Sequence, residues 1–374
     1  MSDRQAAVFP RPGRDGRPMV PAAEPRSYYG RPVLARPVWT WEIPAYFFVG
    51  GLAGACGPVA AGARMLGNDV LARRAAAVGV AGVAISPVLL ISDLGRPERF
   101  VNMLRVFKPT SPMSVGTWIL STFGPAAGIA AGWQLLGLPG RRAGVPAQAL
   151  AAITGPMLST YTAALIANTA VPVWHDARRE LPFLFASSSA AAAGGALTAL
   201  TPRGSAGAAR ALGVVGAAAE LAITEVMERR LDQRVRSSYR TGAAHRPHQA
   251  ARIATAAGAA VVAALGRRSR MAAVAGGVAL CAGSALTRWS IFQAGRASAD
   301  DPEQTVGPQR DRIDGRQPVK PAPGERLDVP ADAPPAPSPA DGPPAPSASG
   351  PGMPDAQDHP VAPRRGGYRS PPGS

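Results

Sequence analysis

The residues able to do chemistry in this 374-residue chain are few, and they fall at the edges of apolar stretches. Glu42 heads a stretch with no other charge before Arg64, and Tyr46 lies one turn further in. Asp93 closes the next stretch within Leu90-Ile-Ser-Asp-Leu-Gly-Arg-Pro97, with Arg96 beside it. Thr117 and Trp118 open the third, and Tyr161 and Asn168 sit in the later part of the fourth. If these stretches alternate in direction, all of those groups reach one end. Two carboxylates, two phenols, an indole and an amide together offer donors, acceptors and a proton exchanger. Apolar walls with polar groups at one end suit a ligand with a long apolar tail and two head oxygens. A quinone fits that description. The segment Pro172–Pro182 adds Trp174, His175, Asp176, Arg178 and Arg179 near the same end.

Plainer roles exist for several of these residues. Trp41 and Trp174 are placed as headgroup-level anchors would be, and Asp93 can cap a helix or pair with Arg96. Glu42 is harder to dismiss, because an ionisable residue in an apolar span tends to be functional or paired. Glu220 lies about 12 Å inside the sixth stretch at 1.5 Å per residue. It is expected to be protonated or paired, with Arg288 as the partner, or to handle protons.

Other redox chemistry is not expected within the chain. The four histidines, His175, His245, His248 and His359, lie outside the apolar spans, so axial ligands for a membrane haem are missing. Cys56 and Cys281 are far apart and form no cluster or metal motif. With no Gly-rich nucleotide loop either, we expect no haem, no iron–sulfur cluster and no metal site in this polypeptide.

The elements that must position these groups are eight apolar stretches of bilayer-crossing length. They run over approximately 41–63, 75–94, 115–137, 147–168, 181–200, 207–228, 249–266 and 271–292. Gly and Ala dominate them, and small residues let helices approach closely in lipid. The formal charge of +16 first suggests a nucleic-acid partner. Residues 41–293 alone carry 24 basic and 10 acidic groups, however, so the charge belongs to loops between spans and nucleic acid is not expected. With the N-terminus inside, 21 basic groups lie on the inner side, Arg252 and Arg288 at helix ends included, against ten outside. That bias predicts a plasma-membrane protein with both termini cytoplasmic. Of 40 prolines, 8 fall in 1–44 and 19 in 301–374. Such composition cannot offset the entropy of ordering, so 1–38 and 296–374 are expected to be disordered tails around a membrane domain at 39–295.

The stretch Trp39-Thr-Trp-Glu-Ile-Pro-Ala-Tyr-Phe-Phe-Val-Gly-Gly-Leu-Ala-Gly54 resembles the opening helix of the NrfD/PsrC polysulfide-reductase membrane subunits. So does Asp93-Leu-Gly-Arg-Pro-Glu-Arg-Phe100, followed by Ser111-Pro-Met-Ser-Val-Gly-Thr-Trp118. The resemblance covers approximately 39–295. It implies an all-α integral membrane fold of eight transmembrane helices in two four-helix bundles, with menaquinone or ubiquinone bound in the first. It also implies a multi-cluster iron–sulfur partner, usually joined to a molybdopterin oxidoreductase. By matching motifs, Glu42 takes the polar position of the first helix, Tyr161 a tyrosine of the fourth, and Asp93 with Arg96 the motif after the second. No His stands in the first helix, where some relatives carry one near the quinone head, which leaves Glu42 as proton acceptor. Asn102 replaces a His that many relatives have.

The expectation is a membrane anchor that passes electrons between an iron–sulfur subunit and the quinone pool, with little activity alone. Glu42, Asp93 and Tyr161 would be catalytic. Tyr46, Arg96, Trp118 and Asn168 would join them around the quinone, and Arg96, Arg99, Trp174, His175, Asp176, Arg178 and Arg179 would dock the partner. Two other readings stay open on sequence alone. One is a proton-coupled secondary transporter working through Glu220, with Gly57-Pro58, Pro87, Gly124-Pro125 and Gly155-Pro156 as helix breaks. The other is an anchor that binds no quinone.

Overall fold

The computed structural model describes residues 33–94, 98–137 and 141–314, and these contain helices and no strand. Eight helices have 20 residues or more: α1 (Glu42–Met65), α2 (Asp69–Asp93), α4 (Pro112–Leu135), α5 (Arg141–Ala167), α7 (Leu181–Leu200), α8 (Gly207–Arg230), α10 (Gly242–Leu265) and α11 (Arg270–Asp300). Short helices α3 (Glu98–Leu104), α6 (Pro172–Asp176) and α9 (Gln233–Arg240) fill the connections α2–α4, α5–α7 and α8–α10, and α12 (Pro302–Asp314) follows α11. Each of the eight expected stretches is therefore a long helix.

Five of them, in α1, α2, α5, α7 and α11, are long and apolar enough to cross a membrane. The other three fall outside that set for readable reasons. α8 carries Glu220, Glu225, Glu228 and three arginines, α10 opens with His245, Arg246, His248 and Arg252, and α4 is rich in Gly, Ser and Thr.

The long helices alternate in direction. α1 packs on α2 and α5, and α4 packs on the same two; α7 packs on α8 and α11, and α10 packs on those. Contacts of α1 and α5 with α7, and of α1 with α11, join these groups. The end where α1 begins and α2 finishes, here the first end, also receives α3, α6 and α9. Among the described residues the opposite end carries short turns, such as the one at Gly67, whose φ of +74° favours glycine. Elaboration at one end is what a site there requires.

Close approach is achieved by glycine. A Cβ on Gly54 would lie 2.4 Å from the Gly155 carbonyl oxygen, and one on Gly155 would lie 2.3 Å from that of Gly54. Both obstacles are backbone, so neither can rotate away. Gly155→Val is expected to push α1 from α5 and cost about 1–3 kcal/mol, read as a lowered thermal midpoint of the detergent-solubilised protein.

The boundaries drawn for the tails move. Arg36 pairs with Asp300, and Leu34 and Trp39 pack on the core, so 33–38 is ordered against the helices. At the other end α11 runs to Asp300 and α12 to Asp314. Gln304 is buried, its Oε1 2.7 Å from Ser298 Oγ and its Nε2 2.9 Å from Ser238 Oγ. Satisfied polar burial of that kind holds a proline-led helix in place. The rest of both expected tails lies outside the described residues.

Candidate functional site

At the first end, α1, α2, α3, α4 and α5 enclose a cavity of about 100 Å³. Its walls follow helical spacing, since residues three and four apart share a face. α1 supplies Ile43, Tyr46 and Phe47; α2 supplies Leu90 and Asp93, with Leu94 capping its end; α4 supplies Met113 and Thr117; α5 supplies Tyr161 and Leu165. Phe100 and Met103 of α3 and Trp39 complete it. The walls are apolar except at Asp93, Thr117, the two phenols and the Trp39 indole.

Tyr46 and Tyr161 are in hydrogen-bond contact through their hydroxyls, with ring centroids 6.4 Å apart. One hydroxyl donates to the other, which leaves the pair one O–H to offer elsewhere. Asp93 is held from outside. Thr40 donates to its Oδ1 through both backbone N–H and Oγ1, each at 3.1 Å, and the same Oγ1 touches the Glu42 carboxylate. One hydroxyl proton can serve only one carboxylate at a time, so Thr40 links the states of Glu42 and Asp93.

Tyr46, Asp93 and Tyr161 thus meet at one cavity. Glu42 is not among its walls and is joined to Asp93 through Thr40. Trp118 is 38% exposed and packs edge-on against Phe107 at 6.1 Å, away from the cavity. Asn168 is exposed beyond the end of α5. Arg96 and the side chain of Arg99 lie outside the described residues.

The docking role given to Trp174 does not fit its burial. It is 0% exposed, donates from Nε1 to the Ile291 carbonyl at 2.9 Å, and stacks on Trp39 at 6.1 Å and 26°. Pro172 starts the turn of helix that drives this indole inward, so Trp174 backs Trp39 from behind the cavity. His175, Asp176, Arg178 and Arg179 beside it are exposed. Arg288, counted at an inner helix end, is also 0% exposed in the middle of α11.

Thr40, Trp39, Met103 and Met113 were not singled out from sequence. The flanking tryptophans around Thr40 and the four-residue spacing of Met113 and Thr117 were the available signals. Among the described residues no group of three His, Cys, Asp or Glu side chains could hold a metal ion.

The family model "Polysulphide reductase, NrfD" matches residues 33–225, just over half of the chain and every wall of this cavity. The chain belongs to the NrfD family. No curated protein matches the chain. The NrfD match ends within α8, short of the 39–295 over which the resemblance ran, and leaves α10 and α11 to be placed by their packing on α7 and α8. Spanning-length apolar helices and NrfD membership together make this a membrane protein.

Proposed function

We propose that the chain is the quinone-reactive membrane subunit of a multi-subunit oxidoreductase. All eight long helices cross the plasma membrane, in two groups of four, α1/α2/α4/α5 and α7/α8/α10/α11, with both termini cytoplasmic. Electrons pass between the quinone pool and an iron–sulfur partner, itself joined to a molybdopterin subunit, at the first end. The observation that carries this reading is the convergence of Tyr46, Asp93 and Tyr161 on one apolar-walled cavity there.

The residues suit a quinone head. A volume of about 100 Å³ is below the roughly 300 Å³ of a full ligand pocket, so it takes a ring and leaves the tail among lipid-exposed side chains such as Ile85 and Val88. Quinone supplies the two-electron chemistry when bound. The spare O–H of the tyrosine pair donates to a head carbonyl, and the Asp93 carboxylate accepts from a head hydroxyl. Thr40 keeps Asp93 aimed and connects it to Glu42, from which a proton reaches the aqueous face. The exposed His175, Asp176, Arg178 and Arg179 form the docking surface for the partner, the two arginines meeting an acidic patch.

Quinol turnover by the purified complex tests the roles. Asp93→Asn removes a charge-assisted hydrogen bond worth about 1.5–3 kcal/mol, so kcat/KM should fall at least about tenfold. Glu42→Gln, one hydroxyl further out, should lower kcat with less effect on KM. Undiminished turnover in Glu42→Gln would remove Glu42 from the proton route.

A further inference from the structure

A second buried polar site lies in α7–α11, away from the cavity described above. Glu220 of α8 is 2% exposed. Its Oε1 accepts from Thr287 Oγ1 at 2.6 Å and from Ser188 Oγ at 2.9 Å, while Oε2 has no partner. The Tyr239 hydroxyl on α9 and Thr255 Oγ1 on α10 are buried without partners too. Native proteins rarely leave buried polar atoms unsatisfied.

All three side chains line one cavity of about 10 Å³. One water needs about 10–15 Å³ and two to four polar neighbours, so the cavity matches one water shared by Glu220, Tyr239 and Thr255. Burial pushes the Tyr239 phenol up, so it stays a donor at neutral pH. Tyr239, His248 and Arg252 also line an open groove of about 600 Å³ at the first end, with Glu228, Arg240 and His245. They form the wall between groove and cavity. His248 Nε2 lies 2.8 Å from Glu228 Oε1, and its ring is 5.4 Å from that of Tyr239.

On its other side Glu220 has no direct pair with Arg288. Ser284 Oγ lies 2.9 Å from Ser188 Oγ, and Arg288 Nη1 lies 3.4 Å from Ser284 Oγ. The Ser188 hydroxyl is therefore shared between Glu220 Oε1 and Ser284 Oγ, and Arg288 donates to the same Ser284 oxygen, so hydroxyls bridge Arg288 and Glu220. Arg288 also donates from Nε to the Phe47 carbonyl at 2.9 Å, and Phe47 lines the first cavity.

We propose that Glu220 is a proton-exchange site loaded from the first-end groove past the His248–Tyr239 wall. The proton leaves groove water, passes over the bridging water held by Tyr239 and Thr255, and bonds to Oε2, converting carboxylate to carboxylic acid. Oε1 keeps both hydroxyl donors in either state. The charged and titratable groups facing the site are Arg288 from α11, Tyr239 from α9, His248 and Arg252 from α10, and Glu228 one groove-length along α8; α7 offers hydroxyls. The site does not depend on quinone, and its charge is communicated through Arg288 to the α1 segment that walls the first cavity.

Infrared difference spectra of the full-length protein in detergent, recorded on stepping pH in H₂O and D₂O, test this. The expected result is a protonated-carboxyl stretch that changes with pH, shifts in D₂O within the mixing time, and is lost in Glu220→Gln. His248→Phe should slow the D₂O shift about tenfold or more. Glu220→Asp, which keeps the carboxyl if the amide does not fold, should move the band. A band that neither changes with pH nor exchanges, a band that survives Glu220→Gln, or no such band at any pH overturns the proposal.

Discussion

Gly116→Ala is expected to weaken quinone binding about tenfold or more while leaving the helices in place. A Cβ at Gly116 would lie 2.0 Å from Cε2 of Tyr161 and 2.5 Å from Cδ2. Those distances are well inside van der Waals contact, and the added methyl occupies the space of the ring itself. Tyr161 must swing out, which breaks its contact with Tyr46 and removes the spare O–H from the cavity. Overpacking of this kind costs about 1–3 kcal/mol, and the lost head contact adds to the binding penalty, so affinity for a menaquinol analogue should drop about tenfold or more. Pairing it with Tyr161→Ser restores the space without the phenol. The double variant should recover thermal stability and not affinity. Equal recovery of both would show that Tyr161 only fills volume.

The largest stability loss is expected from Arg288→Met. Its guanidinium is wholly buried and donates to the Phe47 carbonyl, the Phe185 carbonyl at 3.0 Å and Ser189 Oγ at 2.8 Å, with Cζ 4.6 Å above the Phe185 ring. One side chain thus joins α1, α7 and α11. Removing one member of a buried charged network costs about 3–5 kcal/mol, and here it also deprives Glu220 of the nearest buried positive charge. Arg288→Lys keeps the charge but not the planar fan of donors, so it should recover only part of the loss. Thermal midpoints of the three proteins in one detergent read this directly. A midpoint unchanged in Arg288→Met would mean the fan contributes nothing net.

How much of this could be read from sequence follows from the physics of Ala- and Gly-rich helices. The existence of all eight long helices was legible, because length and apolar content suffice for that. Which face of each turns inward was not, since alanine and glycine on every side give little contrast between faces. Thr117 and Trp118 show the consequence. They are adjacent in sequence, one lines the cavity, and the other faces outward against Phe107. Trp174 shows it again, as an interfacial tryptophan by type that becomes a buried support for Trp39. Asp93 and Tyr161 could be gathered at one end from helix direction alone. The link between Glu42 and Asp93 needed the irregular lead before α1, where Thr40 acts through a backbone N–H as well as its hydroxyl, and no residue pattern announces that. α3 was hidden because seven residues after an Arg-Pro pair carry too little periodicity to read.

Photolabelling of the purified complex with an azido-quinone, followed by mapping of the modified residues, tests the central claim most directly. Label should fall on the cavity walls at the first end, on α1 around Ile43–Phe47, α4 around Met113–Thr117 and α5 around Tyr161–Leu165, and be competed away by menaquinol analogue. Label confined to α7–α11, or label spread over lipid-facing residues and indifferent to competitor, would contradict it.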